Sequence, residues 1–149
     1  MWPEWILAAL HLLALPLGLG AIWARSRGLR GVNGSVDLHR VFGADNLWGA
    51  AAALWIVTGL LRAFGGYEKG TAYYLHDRAF DFKMALLVIV LLLEIWPMTT
   101  LIRWRVQSRR GISPDTGAAP TLARIGMIQA ALVVLMVFAA TAVARGYWY

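Results

Sequence analysis

Four long apolar runs occupy most of this 149-residue chain and restrict what it can fold into. They span approximately residues 5–24, 41–64, 79–102 and 122–144. A helix crosses a hydrocarbon core about 30 Å thick with about 20 mostly apolar residues, and each run has roughly that length. The connectors between the runs are too short to fold separately. We therefore predict an all-α integral membrane protein, with one transmembrane domain over residues 1–149 that forms an antiparallel four-helix bundle.

The composition supports a membrane domain and excludes several kinds of site. Charged residues make up 15% of the chain, whereas soluble proteins have about 25%. Cysteine is absent, which excludes disulfides, iron–sulfur clusters, thiolate metal sites and cysteine nucleophiles. The first run has Glu4 and no Lys or Arg before it, and it is longer than the apolar part of a typical signal peptide. We interpret it as a retained span.

The basic residues predict the orientation of the chain. Segments 25–41 and 103–124 carry nine of the fourteen Lys and Arg residues, and an excess of these residues marks cytoplasmic loops. Two spans separate the segments, so both lie on the same side. We therefore expect a multi-pass protein of the bacterial inner membrane with both termini on the outer, periplasmic side. Because the arginines do not form one continuous footprint, we expect no nucleic-acid partner.

Local signals predict where individual helices begin and end. Ser35 or Asp37 is a suitable N-cap for the second helix, and Gly65 and Gly66 are suitable residues to end it. Asp77 and Thr121 are the corresponding N-cap candidates for the third and fourth helices.

The few polar residues within the spans fall at two depths. An outer group contains His11, Arg62, Asp81 and Lys83, and an inner group contains Asp45, Asn46, Glu94 and Arg103, together with Arg40. A charge at the centre of a span costs about 2.5–3.5 kcal/mol, so such residues usually face other helices and pair there. We expect Asp45 to pair with a cytoplasmic arginine and Arg62 with Asp81. The alternative is a ligand site built on these groups.

The positions of the histidines and the absence of common enzyme motifs limit the kinds of site that the sequence predicts. The three histidines lie at different depths, so a three-histidine metal site is not predicted. A single histidine can still bind haem iron, with Lys83, Met84 or no second protein ligand opposite His11. The chain has no phosphate-binding glycine loop, zincin motif or nucleophile elbow. No catalytic residue and no protein metal site are predicted.

A set of short motifs resembles a family of uncharacterised small bacterial inner-membrane proteins with four predicted spans. These motifs are Leu10-His11, Ala44-Asp45 with Gly49, Thr58 to Arg62, Lys69-Gly70 with Tyr73-Tyr74, Phe80 with Lys83, and Pro97 with Arg103-Trp104. The resemblance implies the four-span fold and no assigned activity. The first-span histidine and the Phe80-x-x-Lys83 pattern are also faintly similar to HemJ-type protoporphyrinogen oxidases, which implies contact with haem or a porphyrin.

Three hypotheses for function remain. The first is a non-enzymatic accessory subunit that packs against a larger membrane complex, such as a respiratory or photosynthetic one, or against copies of itself. The second is a redox protein that binds haem b or a porphyrin through His11, with Arg62 and Lys83 near the ring or its propionates. The third is a small transporter that depends on Asp45 and Glu94.

Overall fold

A computed structural model describes residues 2–31, 33–66 and 78–145, and these residues form four α-helices. They are α1 (Trp2–Arg30), α2 (Leu38–Phe64), α3 (Arg78–Arg109) and α4 (Ala119–Arg145). All four are long and apolar enough to cross a membrane. The predicted all-helical, four-span fold is confirmed. Helices α1 and α3 continue beyond their apolar runs because arginine is a good helix former and its long side chain can carry the charge away from the apolar region.

The helices pack in an order that leaves one gap. Helix α1 packs on α2 and on α4, and α3 packs on α4. Helices α2 and α3 do not form a closely packed pair among the described residues. We call the space between them the α2–α3 cleft. The end of the bundle where α1 begins and α4 ends is called the terminal end. The opposite end, which holds connectors 31–37 and 110–118, is called the connector end.

Small residues bring α1 and α4 into close contact. A Cβ atom added to Gly126 would overlap the Ser26 hydroxyl oxygen and lie 3.6 Å from Ile22. In lipid, helices associate through such close backbone approach, because lipid tails are as apolar as the side chains. The buried core beside this contact is formed by Ala21, Ile22, Trp48, Leu86, Val90, Val133 and Met136.

Helix ends follow some of the sequence signals and depart from others. Asp37 caps α2, and its side chain accepts a hydrogen bond from the backbone N–H of Arg40 at 3.1 Å. Gly65 ends α2 as predicted, donating its N–H to the Leu61 carbonyl at 2.8 Å. Thr121 is not a cap, because α4 begins two residues earlier, at Ala119, whose N–H is bonded to the Thr116 carbonyl. The predicted cap Asp77 lies outside the described residues.

The turn between α1 and α2 requires a glycine. Gly31 has a φ of 61°, and a Cβ atom there would collide with the backbone carbonyl of Ser35. The Gly28 carbonyl then accepts a hydrogen bond from the N–H of Asp37 at 3.0 Å. This tight turn returns the chain so that early α2 residues lie beside the last turns of α1.

Candidate functional site

A buried arginine connects all four helices near the connector end. The Arg25 side chain is 0% exposed. Its Nη1 donates to Asp45 Oδ1 at 2.9 Å and to Glu94 Oε1 at 2.7 Å, and its Nη2 donates to Glu94 Oε2 at 3.0 Å and Gln129 Oε1 at 3.2 Å. The two bonds to Glu94 form the bidentate arginine–carboxylate geometry, the stronger class of charged hydrogen bond. We call Arg25 and the residues bonded to it, with Arg105, the Arg25 network.

Arg105 and Gln129 complete this network. Arg105 donates to Asp45 Oδ2 and to Asn46 Oδ1, both at 2.7 Å. Gln129 Nε2 donates to Glu94 Oε2 at 2.8 Å and to the Val90 carbonyl at 3.1 Å. Two arginines therefore face two carboxylates, and the network carries no net charge. Such pairing offsets much of the free-energy cost of placing charges in an apolar environment.

The network corrects two predicted partners. Arg103 is exposed and lies outside the network, and its place is taken by Arg105. At about 100° per residue, Arg105 falls about 20° from Glu94 around α3, whereas Arg103 falls about 180° away. Arg40 is also exposed, 4.0 Å from Asp37. The predicted residues Asp45, Asn46 and Glu94 are brought together.

Besides Arg105, two further members of the network were not identified from sequence. Arg25 immediately follows the first apolar run, a position typical of a cytoplasmic loop charge. Gln129 is uncharged and lies inside the fourth run. One signal in the sequence does point to Gln129. It lies three residues after Gly126, on the same face of the fourth span, and a polar side chain beside a small residue is typical of a face that contacts another helix.

A second site lies at the terminal end, where a cavity of about 750 Å³ opens between the helices. We call it the His11 cavity. His11, Arg62 and Lys83 all line it, so the structure brings together three residues that the sequence placed in one outer group. Asp81 is exposed on the first turn of α3 and is not among the lining residues. Most of the remaining wall is apolar, and it includes Leu12, Trp55, Ile56, Leu60, Phe64, Phe80, Met84, Leu87 and Met136.

Three residues of α2 surround the His11 ring. The ring stacks on Trp55, with centroids 5.4 Å apart and planes 17° from parallel. Its Nδ1 lies 2.9 Å from the Thr58 hydroxyl oxygen. Gly59 leaves room for the ring, because a Cβ atom there would lie 3.0 Å from His11 Cε1. Residues 55, 58 and 59 lie on one face of α2, as the spacing of three and four residues requires.

The contact with the Thr58 hydroxyl bears on which His11 nitrogen carries the proton in the neutral ring. Thr58 Oγ1 lies 2.6 Å from the Leu54 carbonyl oxygen and 3.2 Å from the Trp55 carbonyl oxygen, and we infer that its single hydroxyl hydrogen is donated to these carbonyls, so that its oxygen accepts from His11. Nδ1 is then the protonated nitrogen and Nε2 carries the lone pair. Histidines that bind metals are held in this way, with one ring N–H donated to a fixed acceptor and the other nitrogen bound to the metal.

The two sites are separate but lie in the same cleft. His11 and Arg25 are about 21 Å apart along α1, from the rise of 1.5 Å per residue. A narrow cavity of about 60 Å³ shares Trp55, Ile56 and Leu87 with the His11 cavity and extends to Glu94. Glu94 is the one ionisable residue among the described residues that line it. An apolar stretch therefore separates the polar groups of the two sites.

The described residues contain no group of three or more His, Asp or Glu side chains placed to hold a metal ion. The described side chains that line the His11 cavity include one imidazole, two cationic groups and a large apolar and aromatic wall. That combination suits a ligand with a broad apolar body and anionic groups.

Comparison with protein-family models matches residues 3–147 to the family described as "Predicted membrane protein (DUF2214)". No curated protein and no solved structure matches the chain. The similarity to HemJ-type oxidases is not shown by these comparisons and stays a prediction. The match covers nearly the whole chain and agrees with the four apolar helices, so this protein belongs to the DUF2214 family of predicted membrane proteins.

Proposed function

We propose that this protein is a ligand-binding membrane protein whose His11 cavity holds a planar, largely apolar molecule with anionic groups, and that a tetrapyrrole such as haem b is the leading candidate. One observation carries the proposal: His11, Arg62 and Lys83 line a single cavity with an aromatic and aliphatic wall. Ligand sites are typically cavities of about 300–1,000 Å³ with a mostly apolar lining and a few polar groups, and a volume of about 750 Å³ falls in that range.

The residues of the cavity fit a tetrapyrrole. His11 presents Nε2 as its basic nitrogen because Thr58 holds Nδ1–H, and an imidazole nitrogen is a common axial ligand of haem iron. Arg62 and Lys83 supply positive charge for carboxylates, and Trp55 and Phe80 supply flat apolar surface. Lys83 and Met84 both line the cavity as candidates for a second ligand. Bound haem would supply one-electron redox chemistry at this site.

The test is the absorption spectrum of protein purified gently from its own membrane. We expect a porphyrin band between about 350 and 450 nm that is lost or shifted in His11→Ala. His39→Ala is the matched control, because His39 is exposed at the start of α2, at the connector end. A spectrum without this band in protein that retains its native lipids and helices would contradict a tetrapyrrole ligand.

A second candidate function is the accessory subunit of a larger membrane complex, and the exposed face of α2 favours it. Ala50 and Ala53 are exposed there, and a Cβ atom on Gly43 or Gly49 would meet no atom within 4 Å. Small residues on a lipid-facing surface let another helix approach closely. After gentle solubilisation, migration with a large complex that Gly49→Leu disrupts would support this role. Migration of the unaltered protein as a free small species would contradict it.

We also propose that the connector end is cytoplasmic in a bacterial inner membrane. Arg25 and Arg105 belong to the neutral Arg25 network, so they do not count as loop charges. Seven arginines and two acids then remain toward the connector end, and five basic residues and four acids toward the terminal end. The net charges are +5 and +1, and the positive-inside rule assigns the more basic end to the cytoplasm. The third hypothesis, transport, gains no support from the narrow cavity, whose described lining is apolar apart from Glu94.

A further inference from the structure

The narrow cavity adjoins the His11 cavity and runs from it along the bundle. Trp55, Ile56 and Leu87 line both cavities. From this shared wall, the narrow cavity follows α2 from Ile56 to Trp48 and α3 from Leu87 to Glu94. At a rise of about 1.5 Å per residue, these walls are about 12 Å and about 10 Å long. The space beside the His11 cavity is therefore elongated, and its volume is only about 60 Å³.

This elongated space lies inside the bundle. All four helices contribute residues to its walls, whereas a groove for a lipid chain on the outer surface would be formed by exposed residues of neighbouring helices. Many of the lining residues are buried, namely Ala14, Gly18, Trp48, Ala51, Val90 and Val133. The occupant of the narrow cavity is therefore a neighbour of whatever the His11 cavity holds.

The lining favours a hydrocarbon over water. A buried water needs about two to four polar partners. Glu94 is the one ionisable residue in the described lining, and both oxygens of its carboxylate already accept hydrogen bonds from Arg25. The other described lining residues are aliphatic or carry an indole ring. Apolar cavities of this kind stay dry and take up apolar molecules. The small volume admits a chain but not a ring system.

Small residues set the width of the narrow cavity. A Cβ atom added to Gly18 on α1 would lie 3.5 Å from the Trp48 ring and 3.6 Å from the Ala51 Cβ on α2. These are ordinary contact distances, so alanine fits at position 18 and takes up space without a collision. A leucine at position 51 would occupy more of the same space. Gly18 and Ala51 thus limit what the narrow cavity can hold.

We propose that the ligand of the His11 cavity carries a hydrocarbon chain, and that this chain lies in the narrow cavity, where Gly18 and Ala51 leave room for it. The inference rests on the proposed function and narrows the ligand class to a tetrapyrrole with an isoprenoid or alkyl chain. His11 holds the ring and the small residues accommodate the chain, so different substitutions test the two parts.

The test compares haem b with haem o, which has a similar ring and carries a farnesyl-based chain. Purified protein freed of bound ligand is titrated with each haem, and the Kd is read from the absorption spectrum. We expect the unaltered protein to bind haem o about tenfold more tightly, the advantage expected from filling a cavity of about 60 Å³. Ala51→Leu should remove most of this advantage and weaken haem b binding much less. Gly18→Ala should remove a smaller part of it.

Each test variant has a matched control on the same helix. Ala53→Leu makes the same change on the exposed face of α2, two residues from Ala51. Gly20→Ala adds a methyl group on α1 where a Cβ atom would meet no atom within 4 Å. Both controls should keep the preference for haem o.

Native mass spectrometry of protein released from its own membrane identifies the source of the chain. A bound species that contains a hydrocarbon chain, lost in His11→Ala and reduced in Ala51→Leu, supports a chain on the ligand of the His11 cavity. A phospholipid that remains in His11→Ala but is lost in Ala51→Leu would assign the narrow cavity to a lipid and overturn the inference.

The remaining outcomes separate this inference from the proposed function. Equal affinity of the unaltered protein for both haems, or haem b as the species bound in the membrane, would overturn the chain and leave the tetrapyrrole site standing. Binding of neither haem would contradict the tetrapyrrole, and a bound species without a chain would then overturn the inference too. Equal weakening of both haems in folded Ala51→Leu would also overturn it. Should Ala51→Leu fail to fold, the milder Gly18→Ala decides between a selective and an equal loss.

Discussion

The tautomer that we infer for His11 determines which ring nitrogen can bind a ligand. Thr58 donates to the Leu54 carbonyl and accepts from His11 Nδ1, so Nε2 is the basic nitrogen of the neutral ring. Sequence reasoning identified His11 as the candidate ligand, but it assigned no role to Thr58. Residue 58 lies 47 positions away along the chain, and no local pattern links it to His11. Helix packing creates this contact.

Thr58→Val tests this assignment while preserving the shape of the side chain. We expect the neutral His11 ring to become a mixture of tautomers, because Nδ1–H loses its acceptor. The ¹⁵N chemical shifts of the imidazole, measured by NMR, distinguish the two forms. Loss of such a supporting hydrogen bond typically weakens metal affinity by about 10–100-fold. Thr99→Val is the control, since Thr99 also bonds a carbonyl four residues earlier but is exposed. An unchanged single tautomer in Thr58→Val would contradict the assignment.

Replacement of the buried Arg25 is expected to lower stability strongly. Arg25→Met leaves Glu94 without a cation and breaks a buried pair, which typically costs about 3–5 kcal/mol. We expect that loss in the free energy of unfolding measured in detergent. Arg27→Met, which removes an exposed side chain 5.6 Å from the Trp23 ring, should cost less than about 1 kcal/mol.

The double variant Arg25→Met with Glu94→Met gives a sharper check of the same idea. It restores charge balance, because the Asp45–Arg105 pair remains intact. We expect it to be more stable than Arg25→Met alone. Equal or lower stability of the double variant would show that the uncompensated charge is not the source of the loss.

At the scale of the helices, the apolar runs predicted all four elements but not which faces meet. Arg103 and Arg105 look equivalent in the sequence, and the rotation of α3 about its axis selects Arg105. That rotation depends on packing against α4, which a single run of apolar residues does not encode. The apolar runs also predict α1 and α3 to be shorter than they are, because an arginine that ends an apolar run does not end a helix.

The contact between α1 and α4 depends on the absence of a side chain at Gly126. We expect Gly126→Ala to lower stability by about 1 kcal/mol, the low end of the usual cost of overpacking, because its Cβ would overlap the Ser26 hydroxyl and force that buried side chain to rotate. Gly20→Ala is a matched control in α1, with no atom within 4 Å of its Cβ. Adding Ser26→Ala should recover part of the loss. Full stability of Gly126→Ala, measured by thermal unfolding in detergent, would contradict the close approach.

At the scale of the whole molecule, the described residues form two polar sites joined by a mostly apolar cleft. The sequence predicted two polar layers, because the depth of each polar residue in the membrane follows directly from its position along its helix. The sequence did not predict the cavity, because a cavity is the space left by helices that do not pack, and here α2 and α3 leave it. The partners Arg25 and Gln129 were missed for the same reason: they become neighbours through tertiary packing.

The central claim, that the His11 cavity holds a ligand, is tested most directly by native mass spectrometry of protein released from its own membrane. We predict a bound species of defined mass on the unaltered chain, retained in His39→Ala and lost in His11→Ala. The narrower cavity of Gly59→Ala, whose Cβ would press on the His11 ring, should retain less of it. A bare chain mass for the unaltered protein, or a ligand retained fully in His11→Ala, would contradict the account.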